Sequence, residues 1–312
     1  MSKRRLWGLL KLDPVLKRSF CSSTGVQNPL DPEPLRKARR MAPTVGFMAG
    51  VFGATVGVGG GVVIVPAIVN ACKTIPQRVV SGTSLAAVLS TATASAATYA
   101  QAGCIDFGAA SIISPVAMLL APFGARATMR FDCQKLRRML GYFLIAVAPL
   151  VPLKAYLLST HSNGYEAAEV TAEEAKANAQ SEDPFRSLAE KPVHVLAGLV
   201  LTGAVAGFAS GLLGIGGGTI VTPLLAVLMP QEQTTILGTS LLSMIPPSAV
   251  ALAQHAKLGN VDWRMALGLA GGTAIGGAIG SAAAIQAPPG ILELCFAIGM
   301  LFLGRRTLMM PR

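Results

Sequence analysis

The sequence predicts an all-α polytopic membrane protein made of two homologous halves with about eight membrane segments, and three observations carry this. Hydrophobic residues make up 52% of the 312 positions and charged residues 13%, with a mean hydropathy of +0.56. That leaves too little polar surface to cover a soluble fold. The apolar residues gather into segments, most of them near the ~20 residues that cross a bilayer as a helix. Finally, glycines, prolines, hydroxyl residues and aspartates of the first set of segments recur in the same order in the second.

In chain order, residues 1–42 form a basic extension with ten Lys or Arg, and Asp13 is the one acid in the first thirty positions. A short amphipathic piece, Leu6 to Leu12, followed by serines, has the composition of a mitochondrial transit peptide. The run Arg18-Ser19-Phe20-Cys21-Ser22-Ser23 resembles a matrix-processing site. The expected location is the mitochondrial inner membrane with the basic face towards the matrix; a plain cytoplasmic basic tail, in the plasma membrane or another organelle, is the alternative. Proline-rich residues 28–34 read as an extended linker.

The first membrane repeat is expected over 43–157, with apolar segments at 44–72, 79–100, 107–125 and 139–157. A hydrophilic loop, 158–192, carries seven acids and three bases. The second repeat, 193–308, has segments at 193–229, 235–256, 265–285 and 289–304. Aligning the two sets places Gly59-Gly60-Gly61 and Pro66 on Gly216-Gly217-Gly218 and Pro223. With one residue deleted from the second copy, Gly82-Thr83-Ser84 falls on Gly238-Thr239-Ser240, Gly103 on Gly259, Asp106 on Asp262 and Gly124 on Gly280. Chance similarity between apolar stretches would match Leu, Ala and Val rather than these residues.

Charge orients the halves. If each first segment, broken by its glycines, crossed the membrane once, Arg126, Arg130, Lys135, Arg137 and Arg138 would lie opposite the basic N-terminus, against the positive-inside rule. If each broken segment enters and returns, the basic clusters share one face, while Asp106, Glu232 and the acidic loop take the other. The halves are then inverted repeats, each with a re-entrant first segment.

Cys21, Cys72, Cys104, Cys133 and Cys295 form no C-x-x-C, and His161, His194 and His255 are scattered, so neither a metal site nor a cofactor is expected. Paired carboxylates and a Cys/His nucleophile are missing too, so the chain is not expected to be an enzyme and no catalytic residue is assigned. The net charge of +11 is explained by loops flanking membrane segments, and with 5% aromatics no nucleic-acid partner is expected.

The glycine-rich breaks are the candidate substrate pathway: Gly57, Gly59, Gly60, Gly61 and Pro66 in one half, Gly214, Gly216, Gly217, Gly218 and Pro223 in the other. Broken helices at membrane depth expose backbone groups, which are tolerated where protein or a water-filled cavity satisfies them. The positive ends of half-helices suit small anions. No Lys-Ser/Thr follows the glycines, so a nucleotide loop is excluded. Close packing of small residues is the structural alternative. Thr83, Ser84, Thr239 and Ser240 supply hydroxyl donors for an oxyanion, or bond back to their own helices. His255, at the position matching Tyr99, is a candidate for proton coupling. Asp106 and Asp262 are expected to cap the helices that follow them.

The doubled pattern Gly57-x-Gly59-Gly60-Gly61 through Pro66 with Gly82-Thr83-Ser84, and its copy Gly214-x-Gly216-Gly217-Gly218 through Pro223 with Gly238-Thr239-Ser240, resembles the TauE/SafE family of sulfite and organosulfonate exporters over about residues 43–308. The resemblance implies a permease moving small sulfur-containing or related anions without ATP hydrolysis, its partners being that substrate and the lipid bilayer; it leaves the oligomeric state open. The basic extension and the long acidic loop depart from compact bacterial members. The contrasting reading is a non-transporting membrane scaffold or assembly factor.

Overall fold

The computed structural model describes residues 32–72, 75–128, 193–229 and 231–287, together with a few isolated positions elsewhere. The segments expected at 139–157 and 289–304, the acidic loop and the targeting segment lie outside the described residues. Within these bounds the chain forms eight helices: α1 Pro32–Val56, α2 Gly61–Ala71, α3 Gln77–Gln101, α4 Phe107–Ala127, α5 Val193–Leu213, α6 Gly218–Leu228, α7 Gln233–Lys257 and α8 Trp263–Ile285. Five of them, α3, α4, α5, α7 and α8, are long and apolar enough to cross a membrane.

The helix boundaries follow local chemistry. Asp106 accepts a hydrogen bond from the Ala109 amide at 2.8 Å and Asp262 accepts from Arg264 and Met265 amides at 3.1 Å, so both cap the helices that follow, as expected. The proline-rich linker expected over 28–34 is corrected at its end, because α1 already begins at Pro32. Proline is at home in a first helical turn, where its missing N–H would have no partner. Strong helix formers and a forked contact from Arg39 to Asp262, 2.8 Å at its closest, then carry the helix on to the apolar stretch.

Both glycine breaks reverse the chain. The amides of Val58 and Gly59 fold back onto the Gly53 carbonyl at 2.9 and 3.2 Å. The α2 helix then returns alongside α1, so that Ala67, Ile68, Ala71 and Cys72 face Ala38, Met41 and Val45 across a shallow apolar groove. In the second half, a Cβ on Gly217 would lie 3.1 Å from that of Ala206, and one on Gly198 2.7 Å from the Leu228 side chain, giving the same hairpin from α5 and α6. At 11 residues, α2 and α6 are each about 16 Å long, roughly half the hydrocarbon thickness.

The hairpins stand against an antiparallel pair, α3 and α7. Gly82 near the start of α3 packs on His255 and Asn260 at the end of α7, while Gly238 near the start of α7 packs on Tyr99 and Cys104 at the end of α3. Outside this pair the first helix of each set lies parallel to the last helix of the other. Glycines at 46, 50, 272, 276 and 280 bring α1 and α8 into backbone contact, and Gly124, Gly203, Gly207 and Gly211 do the same for α4 and α5. Without Cβ atoms in the groove the helices approach closely enough for dispersion and Cα–H contacts to hold them.

One end of the bundle gathers the starts of α1, α3 and α8 and the ends of α2 and α7; it carries Arg36, Arg39, Arg78, Lys257 and Arg264. The other gathers the ends of α3 and α6 and the starts of α4, α5 and α7, with Asp106 and Glu232.

Candidate functional site at the junction of the two breaks

The two hairpin tips meet at half the height of the central pair. A Cβ on Gly59 would lie 2.9 Å from Met244 Cε and 3.1 Å from Val88 Cγ1, and one on Gly216 would meet the same two atoms at 2.5 and 2.7 Å. Val88 and Met244 are each the twelfth residue of a 25-residue helix. The tips also touch one another: a Cβ on Gly61 would sit 2.7 Å from the Ile215 carbonyl oxygen, and one on Gly218 2.5 Å from that of Gly57.

Two reasons make these positions glycine. Gly57, Gly59, Gly60, Gly214 and Gly216 have φ between 68° and 78°, a left-handed conformation that costs an L-residue about 1–2 kcal/mol. Gly61 and Gly218 have ordinary dihedrals but no room; Gly217, also with φ negative at −71°, is the least confined of the eight. Pro66 and Pro223 lie inside α2 and α6, five residues beyond the helix starts, both buried.

Carbonyls exposed by the breaks are met by side chains of α3, α6 and α7. Ser84 Oγ donates to the Gly214 carbonyl at 2.6 Å. The Gly57 carbonyl has the hydroxyls of Thr222 and Ser240 at 3.0 and 3.1 Å, with 2.9 Å between the two hydroxyls. Tyr99 Oη donates to the Ala54 carbonyl at 3.1 Å, and His255 Nε2 lies 2.9 Å from the Gly211 carbonyl, so the matched Tyr and His do the same work in their own halves. The two threonines serve elsewhere: Thr83 Oγ1 donates to Val79 and accepts from the Asp262 amide at 3.1 Å, and Thr239 Oγ1 accepts from the Asp106 amide at 2.8 Å. Of the sequence-derived candidates, the glycines, Ser84, Ser240 and His255 converge on the breaks, whereas Thr83 and Thr239 pin the loops that start α8 and α4.

The model of the sulfite exporter TauE/SafE family matches residues 7–150 and 199–312, a reach wider at both ends than the motif-bearing region. The chain belongs to this family. Among curated relatives of this TauE/SafE protein, the probable membrane transporter protein YunE of Bacillus subtilis is 25% identical over 76% of the chain and 85% of its own length. A probable membrane transporter protein of Xylella fastidiosa is 26% identical over 76% of the chain and 80% of its own length, and one of Methanocaldococcus jannaschii is 29% identical over 59% and 60%. No solved structure matches the chain.

What the TauE/SafE junction offers chemically is a pair of helix starts. Neither Gly60 nor Gly217 supplies a side-chain cap, so the first amides of α2 and α6 end at the junction with their helices' partial positive charge. The midpoint between them is closed by the apolar side chains of Val88, Met244, Val58 and Ile215, with the buried hydroxyls of Thr91, 3.5 Å from a Cβ on Gly60, and Thr219, which donates to the Gly216 carbonyl at 3.3 Å, beside it. Val88, Met244, Tyr99 and Thr222 were not legible as site residues from the motif; the match of Tyr99 to His255 was the available signal for one of them.

Proposed function

We propose that this integral multi-pass membrane protein is a secondary transporter of small anions, sulfite, sulfonates or related sulfur compounds, and that the substrate passes the junction of the two breaks. The observation that carries the reading is the meeting of two uncapped helix starts at mid-height, bordered by hydroxyl and imidazole groups. Family membership supports it independently. The Val88–Met244 contact is then a closed constriction, which must part for an ion to pass.

The two sets of four helices are proposed to be inverted repeats. The antiparallel α3–α7 pair, matching contacts such as Gly82 on Asn260 and Gly238 on Cys104, and the separation of basic from acidic ends support this. The α1–α8 and α4–α5 pairings also imply that whatever moves is not one sequence half against the other. A mitochondrial address is proposed from the basic, acid-poor N-terminus and is tested by organelle fractionation.

Flux of labelled sulfite and sulfonates into proteoliposomes tests the transport reading. Flux above that of empty vesicles is expected, with loss in Gly60→Leu and Gly217→Leu. Rates equal to empty vesicles across the panel would refute it. In a cysteine-free background, impermeant maleimide should label Lys257→Cys and Glu232→Cys from opposite sides; labelling from one side would overturn the inverted arrangement. The apolar closure at Val88 and Met244 favours a second reading, a non-transporting scaffold, which predicts no flux together with stable protein.

A further inference from the structure

The two ends of the central helix pair match in backbone but differ in chemistry. At the basic end, His255 Nδ1, Asn260 Nδ2, Ser81 Oγ and Gln77 Nε2 are buried with no hydrogen-bond partner among the described residues, in residues between 0% and 5% exposed. They come from three elements. Ser81 packs on Gly214 at the second hairpin tip, its neighbour Gly82 packs on His255 and Asn260, and Gln77 lies one helical turn before Ser81 on the same face of α3. At the matched positions of the other end Tyr99, Cys104 and Leu237 replace His255, Asn260 and Ser81, while Gln233 repeats Gln77, and there the Tyr99 hydroxyl is paired. Unpaired buried donors are costly, and a helical serine can turn to its own carbonyls, but the two amides and the imidazole nitrogen lack that recourse.

We propose that this cluster is a ligand subsite for a small oxyanion that keeps one proton, of which hydrogensulfite is the simplest. The proposal rests on the anion-transport reading. The amide groups of Asn260 and Gln77 and the Ser81 hydroxyl donate to its oxygens. His255, whose Nε2–H is directed to the Gly211 carbonyl, presents Nδ1 as an acceptor for the remaining O–H. Arg78, Lys257 and Arg264 make this end positive, and the nearby Asp262 carboxylate is held by Arg39 and by two helix amides. The subsite therefore lies off the junction, towards the basic end, and binds the anion after or before its passage between the hairpin tips.

The test is ligand-dependent thermal stability of the purified full chain in detergent, with sodium sulfite, sodium methanesulfonate and sodium chloride at matched ionic strength. Asn260→Cys and His255→Tyr place at this end the residues the chain already carries at the other, so both are expected to elute as folded protein. Wild-type protein should show a saturable rise in melting midpoint with sulfite, at least tenfold weaker apparent affinity for methanesulfonate, and at least tenfold weaker sulfite affinity in each variant. No sulfite-specific shift in the wild type, or equal affinity in the wild type and both variants, would overturn the subsite. Because the readout is binding, it separates from the flux assay: binding without flux keeps the subsite and removes transport, while flux with unaffected variants does the reverse.

Discussion

Gly61→Ala is the sharpest test of how the hairpin tips meet. Gly61 begins α2 with ordinary helical dihedrals, so alanine is acceptable to the backbone, and by helix propensity alone the change would be mildly favourable. The cost comes from across the junction. The new Cβ would lie 2.7 Å from the Ile215 carbonyl oxygen and 2.8 Å from its carbonyl carbon and Cα, all backbone atoms of the other tip that no rotamer change can withdraw. Overpacking of this kind costs about 1–3 kcal/mol. Gly103→Ala is the matched comparison: Gly103 has φ 70° and nothing within 4 Å of a Cβ, so it loses only the left-handed preference, about 1–2 kcal/mol. Fluorescence-monitored melting of purified protein, paired with sulfite flux in vesicles, measures both. Gly61→Ala should lower the melting midpoint and reduce flux severely, whereas Gly103→Ala should lower the midpoint and leave flux near wild type. Wild-type melting and flux in Gly61→Ala would refute the tip-to-tip contact. Gly218→Ala meets the Gly57 carbonyl from the opposite side, so the double variant should couple non-additively, by about 0.5–3 kcal/mol.

Ser84→Ala should destabilise more than Ser240→Ala, by about 1–3 kcal/mol against a fraction of that, because Thr222 still reaches the Gly57 carbonyl when Ser240 is removed; denaturation of the two variants in one detergent checks the order. Asp262→Ala should cost about 0.5–2 kcal/mol through the lost cap of α8, while Arg39→Gln, on a side chain 37% exposed, should matter little and less still at high salt. Equal losses in the two would mean that the ion pair, not the cap, holds that corner.

Much of this arrangement was legible because it is written in residue types that apolar drift does not preserve. Asp106 and Asp262 announced their caps, and basic residues sorted the helix ends. The repeated glycines marked both reversals. What could not be read were relations between distant residues. The pairing of Ser84 with Gly214, 130 positions away, leaves no local trace; Thr83 donates back to its own helix at Val79, one of the two fates open in the sequence, but nothing local shows that it also accepts from the amide of Asp262. The start of α1 was missed for a different reason: prolines at 32 and 34 read as extended when their place in a first turn is unknown.

The exchanged pairing of outer helices also bears on how the chain is assembled. α1 is made first, yet the helix it lies against, α8, is about the last of the described elements to leave the ribosome, more than two hundred residues later. Until then the glycine groove of α1 has no neighbour, and the hairpin it forms with α2 stands in the bilayer half-supported. Contacts of such long sequence separation form slowly and leave intermediates exposed. Truncation within α8 should therefore show its first damage at the opposite end of the sequence, as proteolysis of α1.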